Sequence, residues 1–267
     1  MVKVHNYLMA RPTYHLKGLV LKRTKLGETD VICTLLAEDG SQVRAVAKGA
    51  RKPQSSFSSR LELGSVCNLL LVQGKTLDMI KEASLIESFS LMRQDLSKFE
   101  AVAPMLELLE KTTQPTLPVP RLFDLSFKSI KHVCDASDQL LKFCAAYLLK
   151  TQAFLGMRPQ LTECLDCGKK INLFSLAPDT KLAFSLFDGG IVCSTCALKH
   201  ETIWQDVSLL QWIYTLLYSS LDEIAAQSLS DQDVLFLIRF LQKWIQAHLN
   251  VKLKSLDFLF TSGISSV

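Results

Sequence analysis

Two Cys-x-x-Cys pairs stand in the second half of the chain, Cys164-Leu165-Asp166-Cys167 and, 25 residues later, Cys193-Ser194-Thr195-Cys196. Two intervening residues let both thiolates of a pair face one ion, and two such pairs complete a tetrahedral four-sulfur site. Asp188-Gly189-Gly190 predicts a turn just ahead of the second pair. We therefore expect a metal-binding hairpin over about 161–199, with Cys164, Cys167, Cys193 and Cys196 as the ligands.

The identity of the metal follows from the softness of thiolate ligands, which favours one structural zinc ion, with iron as the usual competitor. Redox-active pairs and a degenerate or disulfide-linked hairpin are the alternatives to a metal site. His200, four residues after Cys196, could replace one cysteine ligand. A site closed by four thiolates has no open position, so it should fold the hairpin and do no chemistry.

Length and composition indicate one large or two modest domains, since the chain has 267 residues and is 48% hydrophobic. No apolar run approaches the ~18 residues that span a membrane, and residues 1–13 lack the apolar segment of a signal peptide. Eight cysteines without an export signal indicate a reducing, cytoplasmic compartment. Four of them lie in apolar patterns and should be buried, namely Cys33, Cys67, Cys134 and Cys144.

Charge is unevenly distributed along the chain. Residues 1–85 carry 13 Lys/Arg and 7 Asp/Glu, a net charge of +6, whereas residues 86–267 carry 17 and 19, a net charge of −2. A basic first third suggests a polyanionic partner for the N-terminal part.

Residues 1–86 have the alternation and turn signals of β-structure, with strands predicted near 16–23, 31–36, 42–47, 66–72 and 76–86. Five short strands in about 70 residues predict a small barrel. A five-stranded OB fold fits this count, and an SH3-like barrel fits the pattern nearly as well.

The stretch 48–60 between the third and fourth strands is basic and contains serines and Pro53, which argue against a helix. It is either a solvated loop or an anion-binding arm on the barrel. In the second interpretation, the expected phosphate contacts are the basic residues of this loop and of the first and third strands, namely Lys22, Arg23, Lys25, Arg44, Lys48, Arg51, Lys52 and Arg60. Candidates for base stacking are few: Phe57, Tyr14 and Phe89.

The remainder, 87–267, has helical periodicity. Helices are predicted near 95–111, 122–134, 140–155, 206–219 and 230–249, with N-caps at Asp95, at Asp206 or Ser208, and at Ser230. The predicted fold class is therefore α+β and multi-domain: an N-terminal OB barrel (1–86) followed by an α-helical domain (87–267) with an inserted four-cysteine zinc hairpin.

Sequence signatures of enzymes are absent. The five histidines form no metal-ligand or catalytic pattern, and no glycine-rich phosphate loop follows a strand. The chain is predicted to be a non-enzyme without a small-molecule substrate.

Several stretches together resemble the RecO family of bacterial recombination mediators. In the first part they are Gly18-Leu19-Val20-Leu21, Gly27-Glu28-Thr29-Asp30 and Ala47-Lys48-Gly49-Ala50-Arg51. In the second part they are Leu155-Gly156-Met157-Arg158-Pro159-Gln160-Leu161, both cysteine pairs with Gly189-Gly190-Ile191-Val192, and His248 with Leu253-Lys254-Ser255. The order and spacing cover nearly the whole chain, and the Leu-Gly-x-x-Pro-x-Leu approach to the first pair is the most specific part.

The resemblance implies an OB fold, a helical domain and a function in DNA repair and recombination without enzyme activity. It implies binding of single- and double-stranded DNA, annealing of complementary strands, and help in loading recombinase onto strands coated by single-stranded-DNA-binding protein. Implied partners are RecR and the tail of that coating protein, and the implied place is the cytoplasm, at the nucleoid when active.

Because such tails are acidic with an apolar end, the predicted face of Arg121, Lys128 and Lys131 beside Leu125 is the candidate site for this tail. The alternative is that these charges form an ordinary solvated helix face. The alternative function is a zinc-ribbon or OB protein of transcription or translation, acting as an adaptor or RNA binder.

Overall fold

A computed structural model of the protein describes residues 11–261, and its first part is a closed five-stranded barrel. The strands are β1 (Thr13–Leu26), β2 (Asp30–Ala37), β3 (Gln42–Ala47), β4 (Val66–Val72) and β5 (Asp78–Glu87). β1 has 14 residues, long enough to pair with β4 through its first half and with β2 through its second half. A bulge between Val20 and Lys22 bends the strand where the partner changes.

The order β1-β2-β3-β5-β4 closes through β4 against β1, with β3 and β5 parallel. This is the OB arrangement, so the connectivity decides between the two barrels that the sequence pattern allowed. Alternation fills the interior with Val20, Leu35, Ala45, Leu69 and Ile80, all at most 2% exposed. Cys33 and Cys67 are also buried there, and burial raises the pKa of each thiol to about 11.

One compact unit consists of the described residues up to Ser88 together with Thr113–Pro118, and the other of Phe89–Thr112 and the described residues from Val119 onward. The short returning segment is tied to the barrel. The N–H of Gln42 donates to the Gln114 carbonyl at 3.1 Å, and the side-chain amide of Gln42 donates to the Thr113 hydroxyl at 3.1 Å. The first unit is therefore discontinuous in sequence.

The second unit is helical, with α1 (Ser90–Gln94), α2 (Leu96–Thr112), α3 (Leu122–Asp135), α4 (Leu140–Phe154), α5 (Val207–Tyr218), α6 (Leu221–Ala225), α7 (Asp231–Leu249) and α8 (Lys254–Thr261). α4 is central and contacts α2, α3, α5, α6 and α7. Its two lysines cap the C-terminal ends of neighbouring helices. Lys142 Nζ donates to the carbonyls of Ala225 and Gln227, and Lys150 Nζ to those of Leu217 and Ser219.

Two of the three predicted N-caps are confirmed, because Asp95 accepts the Lys98 N–H at 3.2 Å and Ser230 accepts the Asp233 N–H at 3.1 Å. Asp206 stands at the N-cap position of α5, but its side chain makes no capping hydrogen bond. Cys134 and Cys144 are buried, as predicted. Sequence periodicity did not predict the short helices α6 and α8.

Between α4 and α5 lies a three-stranded sheet of order β7-β6-β8, built from β6 (Lys181–Ser185), β7 (Gly190–Val192) and β8 (Ile203–Asp206). It packs on α7 through Phe184, whose ring centroid lies 5.3 Å from that of Phe240 and 5.7 Å from that of Trp244. The strand β8 extends past the predicted end of the hairpin at 199 and leads directly into α5.

Glu107 of α2 fixes the start of α8. Its carboxylate accepts the Lys254 N–H at 3.0 Å, the Ser255 N–H at 2.8 Å and the Ser255 hydroxyl at 2.6 Å, and it pairs with Lys111 at 2.9 Å. Burial by itself raises the pKa of Glu107, but these hydrogen bonds outweigh it and lower the pKa overall. The stretch Leu253-Lys254-Ser255 thus has a structural role: it starts α8, and the carboxylate of Glu107, which is distant in sequence, caps this start.

We expect Glu107→Gln to lower the free energy of unfolding by about 1–2 kcal/mol at neutral pH, since charge-assisted hydrogen bonds to a helix start become neutral ones. Because the folded pKa is lowered, the carboxylate stabilises the fold above its unfolded pKa of about 4.3 and loses this effect as pH falls through the folded value. The difference between wild type and variant in urea titrations should therefore shrink below about pH 4. The exposed Glu201→Gln variant serves as the control, and an equal effect of both variants at every pH contradicts the assignment.

Candidate metal centre and nucleic-acid interface

The approach to the first cysteine pair is shaped by the Leu-Gly-x-x-Pro-x-Leu stretch. Gly156, with φ +89°, follows the end of α4, and Leu161 is buried at 1% exposure. Between them the chain meets β7: the Gln160 N–H donates to the Gly189 carbonyl at 2.9 Å, and the Ile191 N–H donates to the Gln160 carbonyl at 3.0 Å. This contact places the first pair beside the second.

Gly190 permits that approach. A Cβ at this position would lie 2.6 Å from the carbonyl oxygen of Gln160 and 2.8 Å from its Cβ. Any side chain would therefore push the strand β7 away from the segment that leads to Cys164. The glycine pair at 189–190 thus does more than form the predicted turn.

Each cysteine pair is a tight turn of the backbone. In the first, the Gly168 N–H donates to the Cys164 carbonyl at 3.0 Å, and in the second, the N–H groups of Cys196 and Ala197 both donate to the Cys193 carbonyl at 3.0 Å. Across the pairs, the Cys193 N–H donates to the Cys164 sulfur at 3.3 Å. The two turns therefore present their sulfur atoms to one another.

The four sulfur atoms of Cys164, Cys167, Cys193 and Cys196 all lie within 4.8 Å of one another. The Cys167 and Cys193 sulfurs are 3.7 Å apart. A tetrahedral ion with metal–sulfur bonds of about 2.3 Å requires sulfur–sulfur distances of about 3.8 Å. The cluster has the donor set and nearly the dimensions of such a site, so it could hold one metal ion.

The surroundings lower the pKa of Cys164 and Cys193, whereas the hydrogen bond with Asp166 raises the pKa of Cys196. Burial opposes ionisation of Cys164, but hydrogen bonds from the N–H groups of Cys167, Cys193 and Asp166 outweigh it and lower the pKa to about 6. Three of the four cysteines are buried and Cys167 is exposed. Asp166 and Lys199 form an ion pair at 3.0 Å that links the two turns.

His200 is not placed among the sulfurs. Its Nδ1 lies 2.9 Å from the Asp188 carboxylate, which also accepts the Ser185 hydroxyl at 2.8 Å. The cluster that could hold a metal ion consists of the four cysteines and does not include His200. The alternative in which His200 replaces a cysteine is therefore wrong, because this ring closes the β6–β7 turn instead.

The eight basic residues predicted to contact phosphate do not form one patch. Lys22 and Arg44 both stand opposite Thr34 in the register of β1, β2 and β3, so they share one face of the barrel wall. Arg23 and Lys25 pair with Cys33 and Val31 and therefore lie on the other side of β1. All four are exposed.

The loop 48–60 is held against the barrel. The Arg51 guanidinium donates to the carbonyls of Gly27 at 3.0 Å and Glu28 at 2.8 Å, and the Gly49 N–H donates to Asp30 at 2.8 Å. The Gly49 N–H and the Thr29 hydroxyl hold the pKa of Asp30 below its ordinary range, and the charges of Lys48 and Lys52 lower it further. Lys48 and Lys52 are exposed. Arg51, by contrast, holds the loop to the β1–β2 turn.

Arg60 lies apart from the loop tip. Its guanidinium donates to the Ala83 carbonyl of β5 at 3.0 Å, and it lines a depression of about 320 Å³ over β1, β4 and β5. His15, Asn68 and Lys81 line the same depression. Sequence reasoning did not select these three residues, because their proximity depends on the closure of β1 against β4.

The aromatic candidates for base stacking are engaged elsewhere. Phe57 packs against the barrel core, and Tyr14 donates its hydroxyl to Asp78. Phe89 is 5% exposed, and its ring lies 5.4 Å from that of Phe127. Phe89 is therefore closed to a base, whereas Tyr14 and Phe57 are half-buried and Phe57 borders the depression at Arg60.

The predicted partner face of α3 is exposed at Arg121, Lys128 and Lys131, and Leu125 beside it is half-buried. Lys131 pairs with Asp135 at 3.3 Å. Asp124 is exposed on the same side of the helix, since it stands four residues before Lys128. This face is therefore of mixed charge.

Within residues 11–261, no helix is long and apolar enough to cross a membrane.

Comparison with known proteins gives the family. The family model described as recombination protein O N terminal matches residues 9–89, and the one described as recombination protein O C terminal matches residues 93–257. Among curated proteins, DNA repair protein RecO of Desulfitobacterium hafniense is 37% identical over 183 residues, which are 68% of this chain and 64% of that protein. This match therefore spans just under two thirds of the relative's length.

A second relative matches almost end to end. DNA repair protein RecO of Thermoanaerobacter sp. is 30% identical over 247 residues, which are 91% of this chain and 95% of that protein. The two family models meet between residues 89 and 93, just after the last barrel strand ends at Glu87. The chain belongs to the RecO family of DNA repair proteins.

Proposed function

We propose that this chain is a DNA repair and recombination mediator. It binds single- and double-stranded DNA, anneals complementary strands and helps load recombinase onto strands coated by single-stranded-DNA-binding protein. Besides family membership, the observation that carries the proposal is the pair of exposed cations, Lys22 and Arg44, on one face of the OB barrel. OB barrels use such a face to bind oligonucleotides.

Binding on this face is electrostatic. Lys and Arg side chains contact phosphates and release counterions, so affinity falls with salt and depends little on sequence. Stacking is limited here, because Phe89 is buried and the rings of Phe57 and Tyr14 are half-buried against the barrel. Annealing requires that two strands be held together while their mutual repulsion is screened, and no bond is made or broken.

The cysteine cluster holds one structural zinc ion in this proposal. The four-sulfur donor set fits zinc, which would fix the two turns and leave no open coordination position. The contribution of the site is therefore to the shape of the hairpin and of the helices that follow it.

Partner binding belongs to the helical unit. The proposed protein partners are RecR and the acidic tail of single-stranded-DNA-binding protein. For the tail we propose the α3 face of Arg121, Lys128 and Lys131, where Leu125 supplies an apolar neighbour.

Purified protein should contain one zinc ion per chain by elemental analysis, and Cys193→Ser should lose it. Since structural zinc contributes ~10–16 kcal/mol in finger peptides, the variant should also melt at a lower temperature. Cys134→Ser, at a buried cysteine outside the cluster, should keep the metal. Absence of metal from the wild type, or a fully loaded Cys193→Ser variant, overturns the zinc assignment.

Replacing Lys22 and Arg44 together by alanine should weaken binding to labelled oligo-dT and slow annealing. Because this double variant removes two cations that bind phosphate, the log–log salt slope should become shallower by about 1.4, at ~0.7 per phosphate for single strands. Lys48→Ala with Lys52→Ala tests the loop separately. Arg51 is left intact, because its removal also breaks two hydrogen bonds to the β1–β2 turn.

The matched control replaces Lys169, Lys170 and Lys181 of the hairpin, two of which already pair with Glu163 and Asp206. This control should bind and anneal DNA as the wild type does. Loss of annealing in the control, with full activity in both barrel variants, contradicts the placement of DNA on the barrel. If the wild-type protein binds RNA more tightly than DNA, the proposed substrate is wrong.

Glutamate at Arg121 and Lys128 should lower affinity for a peptide with the tail sequence by about tenfold or more, because two attractive charges become repulsive. Asp124→Asn should raise that affinity by about threefold, since it removes a like charge from the same face. Fluorescence anisotropy measures both. If neither change alters the affinity, the tail does not bind α3.

A further inference from the structure

The sheet β7-β6-β8 has two unlike edges. The outer side of β7 is covered by the segment around Gln160, which bridges to Gly190 and accepts the Ile191 N–H. The outer side of β8 pairs with no strand among residues 11–261. Backbone N–H and C=O groups at such an edge can pair with another extended chain.

A groove of about 420 Å³ begins at this open edge. β8 bounds it with Ile203 and Gln205, α5 with Leu209 and Trp212, and α7 with Phe236 and Phe240. Ile203 stands opposite Phe184 in the sheet register, and Phe184 packs on Phe240. The groove is thus on the side of the sheet that packs against α7.

The apolar floor continues beyond the last strand. Phe236 is 51% exposed and Ile203 37% exposed, although both border the contact between sheet and helix. A strand added to β8 would lie about 4.8 Å from it and would cover this floor. The exposed apolar area is therefore where the side chains of an added strand would pack.

The charge of the groove favours an acidic occupant. Arg239 and Lys243, four residues apart on α7, line it and are exposed, and no carboxylate of the described residues forms an ion pair with either. Arg239 lies over the ring of Phe260, with 5.1 Å from its guanidinium carbon to the ring centroid. Two cations beside an apolar floor attract a chain that alternates acidic and apolar side chains.

Two carboxylates also line the groove, and both keep their negative charge. Asp206 lies 3.8 Å from the Lys181 ammonium, and Asp233 accepts the Ser230 hydroxyl at 2.6 Å at the start of α7. They nevertheless make the groove unfavourable for a continuous polyanion such as DNA, whose phosphates cannot avoid them. A peptide can place its acidic side chains opposite Arg239 and Lys243 only.

We propose that this groove binds an extended acidic segment of a partner protein, which adds to β8 as a fourth strand and packs apolar side chains on Phe236 and Trp212. Main-chain pairing supplies affinity in such strand addition, and alternate side chains supply specificity. The site is separate from the α3 face, so its test does not depend on DNA binding or on tail binding.

The probe is a short fluorescein-labelled peptide that alternates Asp or Glu with Val and Phe, added to the full-length protein. Two matched peptides accompany it: one has lysine in place of every acidic residue, and the other is N-methylated at alternate residues to remove strand donors. The acidic peptide should bind at least about tenfold more tightly than either. Equal binding of all three, or no binding of the acidic peptide, overturns the proposal.

Protein variants localise the site. Arg239→Glu with Lys243→Glu, and separately Phe236→Ser, should each weaken the acidic peptide by about tenfold, since buried anchors and paired charges dominate such interfaces. These residues are exposed, so metal content, circular dichroism and melting temperature should stay unchanged. The groove variants are compared in the Arg121→Glu, Lys128→Glu background, so that the α3 face proposed for an acidic tail does not bind the probe. The background protein itself should still bind the acidic peptide. If the groove variants weaken oligo-dT binding and leave the peptide unaffected, the occupant is nucleic acid and the proposal is wrong.

Discussion

The packing of four sulfur atoms into one cluster is the constraint on which the middle of the second unit depends. Strands of five, three and four residues make a sheet too small to bury much apolar surface. One face of this sheet has a core of Ala183 and Val192 with the cysteines, and the other rests on α7 through Phe184. Holding the cysteine turns together therefore holds the sheet, and the sheet determines where α5 begins.

Short sequence patterns predicted those elements that depend on residues near one another in the chain. Alternation located the barrel strands, Asp95 and Ser230 marked helix starts, and the Cys-x-x-Cys spacing located the cluster. α8 escaped prediction because its cap, Glu107, lies 147 residues before Lys254. The strand β8 escaped because a four-residue strand against β6 shows too little periodicity. The choice of OB barrel required the pairing of β4 with β1, which no local pattern encodes.

The basic residues show what composition cannot predict. All eight were selected for their charge and position in the chain, but register separates Lys22 from Arg23, and hydrogen bonds to backbone carbonyls occupy Arg51 and Arg60. Charge at neutral pH is a property of the sequence. Availability to a phosphate depends on the neighbours, because a guanidinium that donates to carbonyls is fixed in place and has fewer N–H groups left for a phosphate.

The discontinuity of the first unit bears on how the protein is made. Gln42 satisfies both its backbone N–H and its side-chain amide with Gln114 and Thr113, so the barrel lacks these partners until the ribosome has synthesised α1, α2 and the segment after them. During translation, the five strands are complete before this segment emerges, so these two groups of Gln42 lack their partners at 113–114 in the meantime. A fragment ending at Ser88 corresponds to this state, since it lacks the Thr113 and Gln114 partners of Gln42. The order of synthesis therefore couples completion of the first unit to the appearance of α2.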